Sequence, residues 1–323
     1  MTGRTSVVIC AYTFDRWQDL LDAVGSVRAQ QPPAREVIVV IDGNDELLAR
    51  AREALEGVTV VPNDDVQGLS GARMTGARLA SGELLAFLDD DAVADPGWLA
   101  ELEAAFDDPA VLGAGGRVEP AWRGEQPRWL PDELLWVVGA TWAGLDRRDG
   151  RIRGPIGANM GVRADVLRRV GSFAPELGRI QVGKVFVGTA DETELAIRSR
   201  ALFPGGHWAF RPAAVVRHAV PAERGTWRYL LRRCRMEGAA KAVLVELAGA
   251  DEGLRAERGY TASVLPRAVA RELGGVLRGH PEGLARSAAI VVAVAVTGWT
   301  YVRVRVSRSW ARRRARRAAT PAG

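Results

Sequence analysis

The chain has 323 residues, 47% hydrophobic and 26% charged, a composition that excludes a disordered or fibrous protein and allows a substantial core. Its net charge of +5 is concentrated at one end: residues 303–323 hold eight arginines and no acid, so the 302 residues before them carry −3, a mildly acidic body that argues against nucleic-acid binding. Two cysteines, Cys10 and Cys234, give neither a disulfide framework nor a zinc-type spacing and fit a reducing compartment.

The opening MTGRTSVVICAY turns polar too soon for a secretory signal, so none is expected. SVVICAY (6–12) reads as a strand, and in DRWQDLLDAVGSVRAQQ the residues Trp17, Leu20, Leu21, Val24 and Val27 recur at helical spacing, with Asp15 as the expected N-cap. EVIVVI (36–41) is β-branched and suits a strand buried on both faces. A helix over 45–56 leads to the strand VTVVP, and GLSGARMTGARLASG places small residues where a helix packs closely on a sheet. LLAFL then runs into Asp89, Asp90 and Asp91, and a helix is expected to start at Asp95-Pro96. Four strand–helix units in succession predict a doubly wound, mostly parallel α/β sheet. Such sheets bind ligands at the carboxyl ends of their strands. The ends here are Cys10-Ala11-Tyr12, Asp42-Gly43-Asn44, Asn63-Asp64-Asp65 and Asp89-Asp90-Asp91, expected along one edge.

From about 111 the alternation dissolves. A strand is expected in VLGAGGRVEPAW, a Trp-rich stretch follows, TADETELAIRSRALFPG reads as a helix opened by acids, and HWAFRPAAVVRHAVP reads as a strand. The chain turns helical and basic after 222. Expected divisions are therefore 1–110, 111–221, a helical extension over 222–302, and an arginine-rich tail over 303–323. Within the extension, SAAIVVAVAVTGWTYV (287–302) is uncharged between Arg286 and Arg303. At ~1.5 Å per residue it reaches roughly 24 Å, short of a ~30 Å hydrocarbon core. Basic residues at both ends also oppose a simple span, so a helix or helical hairpin lying on an anionic membrane surface is expected, with the tail as anchor. A buried C-terminal helix with a solvated tail is the alternative.

Three adjacent carboxylates repel one another, and a strand ending in Asp-x-Asp can offer two of them to Mg²⁺ or Mn²⁺, hard cations that take oxygen ligands and keep positions open for phosphate. The ordered set SVVICAYTFDRW, EVIVVIDGND, GLSGARMTGA, LLAFLDDDAVADPGWL, IGANMGVRADVLRRVGSF and ADETELAIR resembles the family 2 glycosyltransferases over about residues 5–220. The resemblance implies the GT-A fold and the following roles. Cys10, Ala11 and Tyr12 border the nucleotide base and Asp42 bonds to it. Arg73 faces the nucleotide or its phosphates, and Asn159 lies in the acceptor and donor-sugar region. Asp91 ligates the metal, Asp89 lies near the ribose or the metal, and Asp90 is the neighbour that a shifted register would bring in. His218 is a further candidate metal ligand.

Family members usually carry Glu-Asp where this chain has Asp191-Glu192; by position Glu192 takes the role of general base, with Asp191 as the competing assignment. The implied reaction is a single-displacement, inverting transfer of one sugar from a nucleotide-diphosphate sugar, a UDP-sugar being expected, with a divalent cation as cofactor. The later stretches WVVGATWAGL and HAVPAERGTWRYLLRRCRMEGAAKA resemble a branch that includes glucosyl-dolichyl-phosphate glucuronosyltransferases, which implies a lipid-phosphate-linked acceptor at the inner, cytoplasmic face of the cell membrane. Two other classes remain at this point. A nucleotidyltransferase would carry a Gly-rich basic loop after its first strand, which CAYTFDRW lacks. A non-catalytic GT-A scaffold is compatible with the reversed acids.

Overall fold

The computed structural model of the chain describes residues 3–145, 150–174, 177, 180–182, 185–187, 190–249, 254 and 259–318, without the side chains of 180–187 and 313–318. Residues 319–323 of the arginine segment, and the side chains of Arg313, Arg314, Arg316 and Arg317, therefore lie outside the described residues.

The first half alternates β1 (Thr5–Ala11), α1 (Trp17–Arg28), β2 (Glu36–Ile41), α2 (Asp45–Ala54), β3 (Thr59–Pro62), α3 (Leu69–Leu79) and β4 (Leu84–Asp89). These four strands pair in parallel in the order β3-β2-β1-β4. Their near-continuous apolar runs follow from burial on both faces. Val7, Ile9 and Ala11 of β1 enter the core with Leu20, Val24 and Leu47, whereas Val8 packs with Ala72, Leu85 and Phe87 on the opposite face. The expected cap at Asp15 is replaced: a 3-10 turn over Phe14–Arg16 precedes α1, and Thr13 Oγ1 accepts from the Asp15 N–H. The extra turn takes the cap away from α1 and sends Arg16 toward the sheet edge. Helix α2 is capped by the Asn44 side chain, which accepts from the Leu47 N–H.

The chain continues through β5 (Ala92–Ala94), α4 (Trp98–Ala104), β6 (Val111–Trp122), β7 (Arg151–Ile152), β8 (Asn159–Arg163), α5 (Ala164–Val170), β9 (Ile180–Val182), β10 (Val185–Val187), α6 (Asp191–Leu202) and β11 (His207–Val220). The sheet extends as β4-β8-β6-β11-β5, with β7 on β11 and β9–β10 forming a separate pair. Strand β8 is antiparallel to both β4 and β6, and β5 is antiparallel to β11, so the sheet is mixed in its second half. From β1 the chain winds outward to β2 and β3, then crosses back to β4 on the other side of β1. The β1–β4 junction is therefore the topological switch point, where neighbouring loops diverge and leave a crevice. Register places Cys10 beside Asp89 there.

Among the described residues, three α-helices close the chain: α7 (Trp227–Ala248), α8 (Leu265–Val276) and α9 (Glu282–Ala318). They are not an appendage. Leu230 and Cys234 of α7, Leu265 and Ala268 of α8, and Ala289, Ile290 and Ala293 of α9 share a third core with Leu130, Leu134, Leu135, Val137, Val138 and Val220. Trp136 and Trp142 pack against that core. The division expected at 221/222 thus falls inside one packed unit. The division at 302/303 falls inside α9, one continuous helix of 37 residues rather than a hairpin or a helix that ends before a separate tail.

Candidate active site

Asp89 ends β4, and the turn through Asp90 and Asp91 leads into β5, whose Ala92 pairs with His218 of β11. The Ala219 N–H donates to the Asp91 carbonyl at 2.8 Å and ties the turn to the same strand. Two distant segments of sequence therefore meet: ligand atoms of Asp89, Asp91 and His218 lie within 4.8 Å of one another. His218 Nε2 is 3.0 Å from Asp91 Oδ1. Gly139, in the left-handed region at φ 77, backs the imidazole; a Cβ there would lie 3.1 Å from His218 Cε1. Gly139→Ala is accordingly expected to destabilise the fold by about 1–2 kcal/mol through its backbone alone and to shift His218, seen as a lower denaturant midpoint and weaker Mn²⁺ binding.

Two arginines that the sequence did not single out complete this corner. Arg16 Nη1 lies 2.8 Å from Asp90 Oδ1 and 3.1 Å from Asp91 Oδ2, and Arg224 Nη2 lies 3.7 Å from Asp91 Oδ2. Arg16 reads in sequence as the start of a helix, and Arg224 lies in the HAVPAERG stretch just after His218; neither spacing reveals the fold that joins them. Burial alone raises the pKa of Asp91, but His218, Arg16 and Arg224 reverse this and hold it at about 2. Asp90 faces the Arg16 side, and burial with two neighbouring carboxylates pushes it up to about 7 despite that arginine. Burial lowers the His218 pKa, and the bond to Asp91 more than compensates, so the net shift is upward.

The residues fit a divalent cation. They are two carboxylates and an imidazole, a set that first-row divalent metals accept. His218 Nδ1 is buried without a hydrogen-bond partner among the described residues, as expected of a group whose electron pair is meant for something else.

A second acidic pair opens α6. Ala190, at φ 87, turns the chain into the helix, so Asp191 and Glu192 sit at its positive end. Asp191 is buried; its Oδ2 accepts from Ser70 Oγ at 3.0 Å and lies 3.4 Å from Arg73 Nη1. Glu192 is half-buried. The two carboxyls hydrogen-bond each other. Burial and the charge of Asp191 raise Glu192 well above its usual range. Asp191, despite its burial, is lowered by that bond, Arg73 and Ser70. The proton of the pair therefore rests on Glu192. Arg73, buried above the Phe173 ring, also lies 3.5 Å from Asp89 Oδ1 through Nη2, so one guanidinium joins both acidic clusters.

The remaining candidates divide into rim and interior. Tyr12 is 51% exposed, its ring beneath the Arg16 guanidinium and its carbonyl held by Asn44 Nδ2. Asp42 stands on the same edge, with Oδ1 accepting from Asn63 Nδ2 at 2.7 Å and Oδ2 from the Gly68 N–H at 3.0 Å, which fixes the loop before α3. Cys10 is half-buried beside Arg73 and Asp89; burial pushes its thiol pKa up, so it stays neutral. Ala11 turns its side chain into the core, and only its backbone reaches the edge, where its carbonyl already accepts from the Asp42 N–H. Asn159 corrects the expectation of a sugar contact. It is 0% exposed, its Nδ2 donates to the Arg117 and Ala214 carbonyls, and its Oδ1 accepts from Trp98 Nε1, so its amide holds β6, β11 and α4 together. Ser70 is the functional-site neighbour that sequence reasoning passed over as a small helix residue.

The sheet order with its switch point between β1 and β4, together with an Asp-x-Asp strand end and an acid-led helix at that edge, defines a GT-A glycosyltransferase fold. The fold is shared with the mannosyltransferase PcManGT from Pyrobaculum calidifontis, solved with GDP-Man and Mn²⁺, at TM-score 0.56 and 19% identity over 92% of this chain and 87% of that one. It is shared also with GalNAc-T7, solved with UDP, GalNAc and Mn²⁺, at TM-score 0.51 and 18% identity over 75% of this chain and 49% of that one. The family model of glycosyl transferase family 2 matches residues 6–171, and the chain belongs to that family. It is similar to the glucosyl-dolichyl phosphate glucuronosyltransferase of Haloferax volcanii, 33% identical over 180 residues that cover 54% of this chain and 58% of that protein. It is also 26% identical to the succinoglycan biosynthesis protein ExoM of Rhizobium meliloti, over 72% of each chain.

Proposed function

We propose that the chain is an inverting, non-processive glycosyltransferase that moves one sugar from a UDP-sugar to a hydroxyl of a lipid-phosphate-linked glycan, at the cytoplasmic face of a membrane. The observation that carries the reading is Arg73, whose single guanidinium couples the Asp89–Asp91–His218 cluster to the Asp191–Glu192 pair. Donor activation and acceptor activation need just this adjacency. The family membership and the similarity to the Haloferax protein support the substrate classes.

In this reading Tyr12 and the backbone at Cys10–Ala11 border the base, with Asp42 beside it. Asp89, Asp91 and His218 would hold a divalent cation, Mg²⁺ or Mn²⁺, which when bound neutralises the diphosphate as it leaves. Arg16 and Arg224 contribute further positive charge beside those phosphates. Glu192 accepts the proton of the acceptor hydroxyl, which attacks the anomeric carbon from the face opposite the nucleotide. Asp191, fixed by Ser70 and Arg73, positions Glu192 and raises its basicity. Glu192 must first lose the proton it holds, so kcat/KM should rise with pH along a limb lying above the usual glutamate value of 4.5.

The test is release of UDP from a panel of UDP-sugars in the presence of Mn²⁺ and polyprenyl-phosphate-linked glucose. A glycosylated lipid product of inverted anomeric configuration is expected. Release that is equal with and without acceptor, or a retained configuration, would exclude the proposed transfer.

A further inference from the structure

Helix α9 has two unlike faces. One is packed: Ala289, Ile290 and Ala293 enter the third core, and Val304 packs with Ala239, Ala240 and Ala242 of α7. The helices approach closely, since a Cβ on Gly238 would lie 2.4 Å from the Thr297 carbonyl oxygen. The other face carries Val291, Trp299, Val302, Val306 and Trp310 on one stripe at helical spacing, all exposed, with Trp299 at 71% and Trp310 at 65%. A water-facing helix does not ordinarily gather two tryptophans and three valines on one line.

The charge along the same helix narrows what can cover it. Arg308 and Arg312 are engaged by Glu246 of α7, and Arg305 donates to the Tyr301 hydroxyl. Glu246 is one acid against eight arginines from 303 onward, which leaves a strong positive surplus. Indole rings beside guanidinium groups suit the headgroup layer of an anionic bilayer, where rings sit at the apolar boundary and arginines meet phosphate. Glu282–Arg312 is long and apolar enough to cross a membrane, but one face of the helix is occupied by α7. A helix packed along a neighbour in this way can lie in the interface with its free face down.

The same packing reaches the catalytic pair. Ala190, the residue directly before Asp191, packs with Tyr301 against the Val304–Ala239–Ala240–Ala242 cluster. We propose that the Trp299–Trp310 face of α9 docks in the plane of an anionic lipid surface and so holds the start of α6, with Asp191 and Glu192, behind α9, about 10 Å from that surface. The docking stands on α9 alone; its purpose, meeting a lipid-borne acceptor, rests on the function proposed above.

The experiment is flotation of the full chain with vesicles of phosphatidylcholine alone and of an equal phosphatidylcholine–phosphatidylglycerol mixture, for wild type and Trp299→Ser/Trp310→Ser. Both rings are exposed, so the double variant should keep its fold, checked by unchanged UDP affinity. Wild type is expected to float with the anionic vesicles and far less with the neutral ones, and the double variant to lose about tenfold or more of its anionic binding. Equal flotation of wild type and variant, or no preference for the anionic vesicles, would overturn the proposal. So would a wild-type dimer in light scattering that the double variant abolishes, since the face would then belong to a second copy. None of these readouts depends on sugar transfer, so a failed transfer assay with intact flotation would count only against the proposed reaction.

Discussion

Glu192→Gln is expected to lower turnover by about 10²–10⁴-fold, the range for loss of a general base, while leaving UDP affinity in the presence of Mn²⁺ within about twofold. The amide keeps the size of the side chain and can still donate to Asp191, so the fold and the donor pocket are preserved. What is lost is the site that takes the acceptor proton. Two further features mark this outcome as catalytic rather than structural. The acidic limb of the kcat/KM profile, which wild type owes to the raised Glu192, should vanish with the residual activity. Asp191→Asn should also lower turnover, but through displacement: it removes the anion that Ser70 and Arg73 hold and that keeps the proton on Glu192. If Glu192→Gln retained wild-type turnover and Asp191→Asn lost it, the two roles would be exchanged. Retained turnover in both variants would remove the pair from the mechanism.

Asp91→Asn is expected to abolish the Mn²⁺-dependent part of nucleotide binding, a loss of about a hundredfold or more in affinity. Asp91 is the member of its cluster that is buried, ionised and in contact with Arg16, Arg224 and the His218 imidazole, so its replacement touches everything around it. The neutral amide is a poor ligand for a hard cation, and it leaves the nearby arginines with less charge to balance. His218→Ala should give the same loss with less disturbance to Arg16, which does not contact the imidazole. Both variants are read by calorimetric titration of UDP with and without Mn²⁺. Equal nucleotide affinity in wild type and Asp91→Asn would place the metal elsewhere.

The sheet was legible because its signals are local. EVIVVI and LLAFL announce strands buried on both faces, and each ends in the polar residues that line the observed edge. The Asp-x-Asp end and the acid-led helix were legible in the same way, as short patterns with a chemical purpose. What the sequence hid is long-range. Arg16 and Arg224 reach Asp91 only because a 3-10 turn redirects the one and β11 carries the other alongside β5. Asn159 stands at the start of β8, beside the end of β4, and its position suggests a ligand contact; only the burial of its amide between β6 and β11 reveals a structural role. The length of α9 was hidden for a different reason. The arginines after 302 read as a separate tail, an anchor on a membrane surface, but Arg308 and Arg312 find Glu246 on α7, and Val304 finds a core, so the helix continues.

The account rests on a nucleotide diphosphate held by a cation between β4 and β11. Its most direct test is titration of UDP into the wild-type chain with Mn²⁺ and again with the metal chelated. Saturable binding that needs the metal is the expected result. Binding of equal strength without it, or no binding of UDP, GDP or dTDP under either condition, would contradict the account.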